Sequence, residues 1–255
     1  MKIITLNTWG GRAGKDSLIN FFNEHKDSVD IFCLQEIWSA PYDDYNGHSA
    51  GGLAIDQSRI MTSGMQDISN TLSEHTAYFR PHFLNNYGLL MMVSKKLNVI
   101  AEGELFVYLE KGHIPNGDIG NHARNIQYVT VMIDQEPLTI INFHGLWNGK
   151  GKTDCDDRIN QSKNIVKFTN SLKGEYVLCG DFNLLPDTES VKILESTGML
   201  NLVKKYDIQS TRSSFYNKKD KFADYIFLSK NLKEVDFKVL NHEVSDHLPL
   251  FLEIM

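Results

Sequence analysis

The stretch "EYVLCGDFNLLPD", Glu175 to Asp187, decides how the rest of the chain is read. Tyr176–Cys179 suits the middle of a strand buried on both faces, being aromatic, β-branched or apolar and uncharged. Gly-Asp-Phe-Asn then places a carboxylate and a carboxamide two residues apart, where the strand leaves the core. With a strand's period of two, Asp181 and Asn183 are expected to face the same way and reach one bound group. In isolation the same four residues read equally as a turn, since Asp and Asn are ordinary turn formers.

Working outward, other short runs have the same character: Lys2–Leu6, Asp30–Leu34, Leu89–Val93, Gln127–Ile133, Leu138–Phe143, Tyr225–Leu228 and Leu248–Ile254. Amphipathic helices are predicted after Asp16 ("SLINFFNEH"), Asp157 ("RINQSKNIVKFTNSL") and Thr188 ("ESVKILEST"), with those three residues as N-caps. Strands and helices mixed in this way predict an α/β layered domain. The strand ends repeat the pattern of the opening stretch. Asn7, Glu36 and His144 close their strands, whereas Asp224 and Asp246-His247 precede theirs. If the last two strands run antiparallel to the others, all these groups converge at one edge. Taken singly, His144 reads more readily as a satisfied core histidine than as a catalyst, Glu36 as a solvated strand end, and "SDH" as a capped turn. Their joint placement points to a site.

At 255 residues and 42% hydrophobic, the chain can bury a substantial core, and one domain spanning 1–255 is expected. No linker, low-complexity run or fixed-period repeat divides it. Three scattered cysteines do not make a disulfide framework. Cys33 and Cys179, inside apolar runs, read as buried thiols in a reducing compartment. No segment approaches the roughly 18 apolar residues of a membrane span, and a cytoplasmic location is expected. A net charge of −6 excludes a chain that coats nucleic acid by bulk electrostatics, but not an enzyme gripping a few phosphates.

The ordered set "LNTWG", "CLQEIW", "YGLLMMVSK", "NFHGLW", "GDFNLLP", "ADYIF" and "SDHLPL" resembles the endonuclease/exonuclease/phosphatase superfamily, which includes deoxyribonuclease I. The resemblance runs from the first strand to the last. It implies a four-layered α/β sandwich, two face-to-face sheets flanked by helices, with the site at one end. It further implies that Glu36 is the principal metal carboxylate, with Asn7 and Asp246 close by. Asp181 and Asn183 resemble the pair that orients or deprotonates the attacking water and holds the phosphate. His247 is similar to the histidine that contacts the scissile phosphate, with Asp224 orienting it. His144 resembles a second acid or phosphate ligand, and Arg124 a phosphate-contacting arginine; Arg124 also reads as an ordinary surface arginine.

The residue types suit that chemistry. Phosphodiester hydrolysis near neutral pH needs charge neutralisation, an aimed water and a protonated leaving oxygen. Carboxylate oxygens without a Cys/His cluster select a hard ion, so Mg²⁺ or Mn²⁺ is expected. A carboxylate beside an imidazole is expected to raise the pKa of His247 through Asp224. The expected activity is that of a metal-dependent phosphoesterase, a nuclease or nucleotide phosphodiesterase acting on a phosphodiester such as DNA or RNA. The alternatives are a sphingomyelinase-like or 5-phosphatase-like enzyme on lipid or inositol phosphates, or an inactive binding module. "TLNTWGG" and "LQEIW" depart from the apurinic endonuclease pattern toward the phosphodiesterase and sphingomyelinase branches. Trp9 and Trp38 read as cleft-lining or as core contacts. The loops "SAPYDDYNGHSAGGLAID" and "EKGHIPNGDIGNH" match no substrate class. "STRSSFYNKKDKF" reads as a nucleic-acid contact or a solvated loop. A monomer is the default.

Overall fold

The computed structural model describes residues 1–50 and 52–255. In chain order the first half contains β1 (Lys2–Asn7), α1 (Lys15–His25), β2 (Ile31–Trp38), β3 (Ser49–Ala50), β4 (Leu53–Ala54), α2 (Gly64–Thr71), β5 (His75–Phe83), β6 (Tyr87–Ser94) and β7 (Val99–Tyr108). The second half adds β8 (Arg124–Ile133), β9 (Glu136–His144), α3 (Asp156–Thr169), β10 (Glu175–Asp181), α4 (Glu189–Glu195), β11 (Leu200–Asn201), α5 (Leu202–Lys205), β12 (Asp224–Leu228), β13 (Glu234–Val239) and β14 (Leu250–Ile254).

Two six-stranded mixed sheets form, in the orders β13-β14-β1-β2-β6-β5 and β11-β12-β10-β9-β8-β7. They pack over a shared core in which Ile3, Ile31, Cys33 and Met91 of the first sheet face Val129, Ile140, Val177 and Cys179 of the second. Helices cover the outer faces, so the fold is the α/β sandwich expected. Each sheet is built around one parallel pair, β1–β2 and β9–β10. β14 runs antiparallel to β1, and β12 antiparallel to β10. The C-terminal ends of the parallel strands therefore share an edge with the starts of β12 and β14.

α1 buries Leu18, Phe21 and Phe22, the i, i+3, i+4 stripe that faces a second apolar cluster behind the first sheet. Its N-cap is Gly14, whose φ of 129° no side chain favours, so Asp16 lies in the first turn rather than at the cap. α3 likewise starts before Asp157, with Cys155 at its cap. Thr188 does cap α4 by position, but its hydroxyl donates to the Leu185 carbonyl. The free N–H groups of Glu189 and Ser190 are instead accepted by the carboxylate of Asp154, from the loop before α3. A distant carboxylate has taken over the capping role assigned to Thr188.

α3 presents an unusual inner face with Arg158, Gln161 and Ser162 buried beside Ile165. Arg158 donates to the carbonyls of Leu146 and Gly151, at 3.2 and 2.7 Å, and to that of Thr153. Gln161 accepts the Leu146 N–H at 3.2 Å. This polar face pins the loop that follows His144.

Candidate active site

The strand-end groups meet where the two sheets abut. Asn7 donates through Nδ2 to Asp181 Oδ2 at 2.8 Å, across the sandwich, and to Glu36 Oε1 at 3.1 Å. Its own Oδ1 accepts the Trp9 N–H at 2.9 Å, so as placed it offers the site N–H groups rather than an oxygen. Glu36 does not end its strand: β2 continues to Trp38 through a bulge between Leu34 and Ile37. At the bulge Glu36 takes a φ of 59°, in the left-handed region few non-glycine residues adopt. The bulge separates the neighbours "QE". Gln35 turns inward, donating to Asn142 Oδ1 at 2.7 Å and Thr5 Oγ1 at 3.1 Å, while Glu36 reaches the cleft. The Gln35–Asn142 bond ties one sheet to the other beneath the site.

On the second sheet, His144 and Asp181 are direct neighbours in the β9–β10 register. That approach depends on two glycines. A Cβ on Gly180 would sit 2.0 Å from the Phe143 carbonyl oxygen, and one on Gly145 2.2 Å from that of Phe182. Asn183 reaches the cleft by a route the strand period did not foresee. The strand ends at Asp181, and Asn183 adopts φ 53° with its backbone N–H donating to Asp181 Oδ1 at 2.8 Å. A turn, not a shared strand face, places the two side chains together.

His247 Nδ1 lies 2.8 and 2.9 Å from the two oxygens of Asp224. Asp224 also accepts from Thr211 Oγ1 at 2.9 Å. Ser245, just upstream, anchors the "SDH" segment by donating to the Asn7 carbonyl at 2.7 Å. The Nε2 atoms of His144 and His247 lie 3.8 and 3.6 Å from the same oxygen, Asp181 Oδ2. Arg124 is buried, not a surface arginine. Its Nη1 meets His144 Nδ1 at 3.3 Å, its Nη2 donates to the Gly120 carbonyl at 3.0 Å, and its Nε has no partner among the described residues.

Charge in the site is governed by burial. Burial pushes Glu36 above the ordinary carboxylate value, with Arg12 and Asn7 opposing. Asp246 is raised for the same reason, against His247 and Arg212. Burial, then Arg124, pulls His144 well below a normal histidine. The expected rise at His247 does not occur. Burial and the Arg212 guanidinium pull it down to about 3, while burial pushes Asp224 up to about 6. Withdrawing the pair from water outweighs the attraction of a neighbouring carboxylate.

The fit to a cation can be judged from these groups. Among the described residues, Asp181, Asp224 and His247 bring ligand atoms within 4.8 Å of one another, whereas no such group of His, Cys, Asp and Glu includes Glu36 or Asp246. Both Asp224 oxygens are already engaged by His247 and Thr211, so that trio is a hydrogen-bond network. Glu36 and Asp246 are the carboxylates in excess: both line the cleft, both are destabilised by burial, and Asp246 Oδ1 is buried without a hydrogen-bond partner. An oxygen-only pair of this kind fits a hard divalent ion.

Trp9 and Trp38 both line the cleft, joined by Arg212 and Tyr216 of the basic, aromatic stretch before Asp224 and by Lys152, Tyr87, His122 and Trp147, to none of which the sequence assigned a role. Of the basic stretch before Asp224, Arg212 and Lys218 face the cleft, while Lys219 and Lys221 are exposed elsewhere. The loop with no assigned substrate contributes Ala50 and Ile55, and "EKGHIPNGDIGNH" contributes Ile119 and Gly120. Asp118 stitches these loops together, accepting from Ser49 Oγ and the Gly52 N–H, each at 2.8 Å.

Two mixed sheets with strand-end acids and histidines at one edge define a phosphoesterase fold. Residues 4–247 match the Endonuclease/Exonuclease/phosphatase family, and the chain belongs to it. Members of that family are hydrolases acting on phosphoesters, generally with a divalent metal. Among curated proteins, no sequence matches the chain. Similar solved structures include an endonuclease/exonuclease/phosphatase family protein from Leptotrichia buccalis (18% identity, TM-score 0.69, covering 100% of this chain and 99% of that one). A mannosyl-6-phosphatase from Bacteroides thetaiotaomicron is similar at 13% identity and TM-score 0.71, covering 100% and 99%. The human Nocturnin catalytic domain with bound sulfate is similar at 17% identity and TM-score 0.67, covering 100% and 93%. At such identities the likeness is one of fold.

Proposed function

We propose that the protein hydrolyses phosphodiester bonds by attack of an activated water, with a nucleotide or nucleic-acid phosphodiester as its substrate. The observation that carries the reading is the placement of Asp181 between the Nε2 atoms of two histidines, beside Asn183 and Asn7. Asp181 is the acceptor that orients the attacking water and takes its proton. Asn183 presents a neutral amide to the phosphate, adding no negative charge. His144 and His247 present Nε2 to the phosphate oxygens from either side, and Arg124 backs His144. Asp224 fixes the ring of His247 with its proton on Nδ1, and Nε2, 3.6 Å from Asp181 Oδ2, is placed to take the proton that Asp181 receives from the water and pass it to the departing oxygen. Glu36 and Asp246 would hold Mg²⁺ or Mn²⁺, which supplies charge neutralisation on the phosphoryl oxygens. Asn7 bridges Glu36 to Asp181 and keeps the two carboxylates in register.

The partly exposed Trp9 and Trp147 on the cleft walls provide aromatic surface against which a base can pack, which supports the nucleotide class over a bare phosphate. No helix among the described residues is long and apolar enough to cross a membrane. A cytoplasmic monomer of one domain, with Cys33, Cys155 and Cys179 as thiols, completes the reading. The test is turnover of bis-p-nitrophenyl phosphate by the purified protein with Mg²⁺ and with Mn²⁺. Release of p-nitrophenol that Asp181→Asn abolishes is expected; no release with either ion sinks the proposal.

A further inference from the structure

Lys152 is among the largest fully buried side chains of the protein, 1% exposed, and it stands in the cleft wall. A buried ammonium is costly unless it is paired and hydrogen-bonded. Among the described residues Lys152 has no ion-pair partner within 4.0 Å, and its one hydrogen bond donates to the Phe222 carbonyl at 2.8 Å. The fold nevertheless holds it firmly. Its carbonyl accepts the Leu185 N–H at 2.9 Å, and Arg158 fixes the flanking carbonyls of Gly151 and Thr153.

Lys152 is not alone on that wall. Its Nζ lies 5.0 Å from the centroid of the Tyr216 ring, and the Arg212 guanidinium lies 4.2 Å from the same centroid. Arg212 spends Nη1 on Asp246 at 2.9 Å, and its buried Nε has no partner. Farther along, Lys218 lies over Trp147 at 5.2 Å. Three cations and two aromatic rings thus share one wall. The loops on another part of the cleft build a wall of a different kind, a small apolar cluster of Ile55, Phe83 and Ile119. Around Asp181 the phosphate already has Asn183, both histidines and Arg124 to meet it. The cationic wall exceeds what one phosphodiester needs.

We propose that Lys152 and Arg212, gathered over Tyr216, form a second anion subsite beside the hydrolytic centre, and that it takes a second phosphate group carried by the substrate. The inference rests on the phosphodiesterase reading above and narrows it to substrates bearing a further phosphate next to the scissile bond. Lys152 donates its free N–H groups to that phosphate, and Arg212 donates through the edge not used by Asp246. The ammonium gains a counter-anion in direct hydrogen-bond contact, where the protein supplies only the more distant carboxylates of Asp181, Asp224 and Asp246.

The experiment compares two substrates with one leaving group, thymidine 5′-(p-nitrophenyl phosphate) and the same compound carrying a 3′-phosphate. The expected result is a KM lower for the 3′-phosphorylated compound by on the order of 10- to 100-fold, as for a hydrogen bond between charged groups. Lys152→Met is expected to collapse that preference toward unity, and Lys152→Arg to retain most of it. Equal KM values in the wild type, or an undiminished preference in Lys152→Met, overturns the proposal. A binding arm separates its failure from that of the hydrolytic reading. By calorimetry, thymidine 3′,5′-bisphosphate should bind more tightly than thymidine 5′-phosphate even to protein that turns over neither ester. Lys152→Met, checked for an unchanged circular dichroism spectrum, should erase the difference. Equal affinities in the wild type overturn the subsite whatever the activity.

Discussion

His144 and His247 flank one carboxylate oxygen at 3.8 and 3.6 Å, yet their outer nitrogens face opposite charges. Behind His144 stands Arg124, which can only donate; its Nη1 approaches Nδ1 at 3.3 Å, so Nδ1 accepts and the ring proton sits on Nε2. Behind His247 stands Asp224, which when ionised can only accept; Nδ1 therefore carries the proton, and Nε2 is free to gain or lose one. The first ring is a fixed neutral donor. The second can change its charge during a reaction. Identical side chains at mirrored positions are thus given different chemistry by the residue one step farther out.

What the two histidines share comes first among the tests, because its loss is largest. In the proposed reaction both address a phosphate whose charge would be offset by a divalent ion held at Glu36 and Asp246. Removing divalent ions with EDTA is expected to abolish turnover, and added Mg²⁺ or Mn²⁺ to restore it. Glu36→Gln should weaken metal binding and lower turnover with little change in melting temperature. Full activity in metal-free buffer would remove the common ground on which the comparison stands.

The asymmetry is then broken one ring at a time. A group that transfers a proton contributes about 10²- to 10⁴-fold in rate. His247→Ala is expected to lose turnover in that range. A neutral donor to a charged phosphate contributes less, so His144→Gln should cost about 10- to 100-fold, as for one charge-assisted hydrogen bond. The decisive measurement is kcat for the two variants side by side, with p-nitrophenol as leaving group and with a poorer alcohol. Only the His247 variant should worsen as the leaving group becomes more basic. Equal sensitivity in both variants refutes the division of roles.

Lys152 extends the contrast to pH. Burial, then the charge of Arg212, lowers it to about 8. The charged form is the one that grips an anion, and it prevails below that value. The KM of a doubly phosphorylated substrate should therefore rise with pH above 8, by about fivefold from pH 8 to 9. His144, held well below its normal value, should add no limb near pH 6.5. A flat KM from pH 7 to 9 contradicts the charged-lysine reading.

How much of this could be read from the chain depends on where a residue sits. The interior strands announced themselves because β1, β9 and β10 are buried on both faces and so are apolar almost throughout. β5, β7 and β13 gave no such signal. They lie at or beside sheet edges with exposed residues such as Glu102 and Val235, and neighbours rather than composition make them strands. The strand-end acids and histidines were legible because position and residue type agreed. The basic stretches "NGKGKTD" and "STRSSFYNKKDKF" were legible as local positive charge beside the predicted edge, but which of their cations enter the cleft was not: Lys152 is carried in by the loop that Arg158 holds at Leu146 and Gly151, while Lys219 and Lys221 stay exposed. Nor does "QE" disclose which residue faces the core, because only the bulge turns Gln35 in and Glu36 out. Long-range partners decide such cases.

The smallest expected effect concerns the scaffold of the His247 side. Asp154 belongs to the segment that carries Lys152, and its carboxylate accepts the Glu189 and Ser190 N–H groups at 2.7 and 3.0 Å and the Ser190 hydroxyl at 2.6 Å. It joins that segment to the start of α4, whereas the His144 side is braced by β9 pairing with β8 and β10. Replacing a capping carboxylate costs about 0.5–2 kcal/mol. In a chain of this size, Asp154→Ala should lower the melting temperature by about 2–4 °C per kcal/mol lost. Burial opposes the Asp154 charge, but the hydrogen bonds of Ser190 and Glu189 prevail and hold its pKa below the ordinary value. Such a group stabilises the fold above its unfolded pKa and loses that contribution as the pH falls through the folded one. The gap in melting temperature between wild type and Asp154→Ala should thus be full at pH 7 and shrink below about pH 4. If the loop is the weaker support, the variant also loses affinity for a doubly phosphorylated ligand more than for a singly phosphorylated one. A gap that persists unchanged to pH 3 would mean that Asp154 acts through packing and not through its charge.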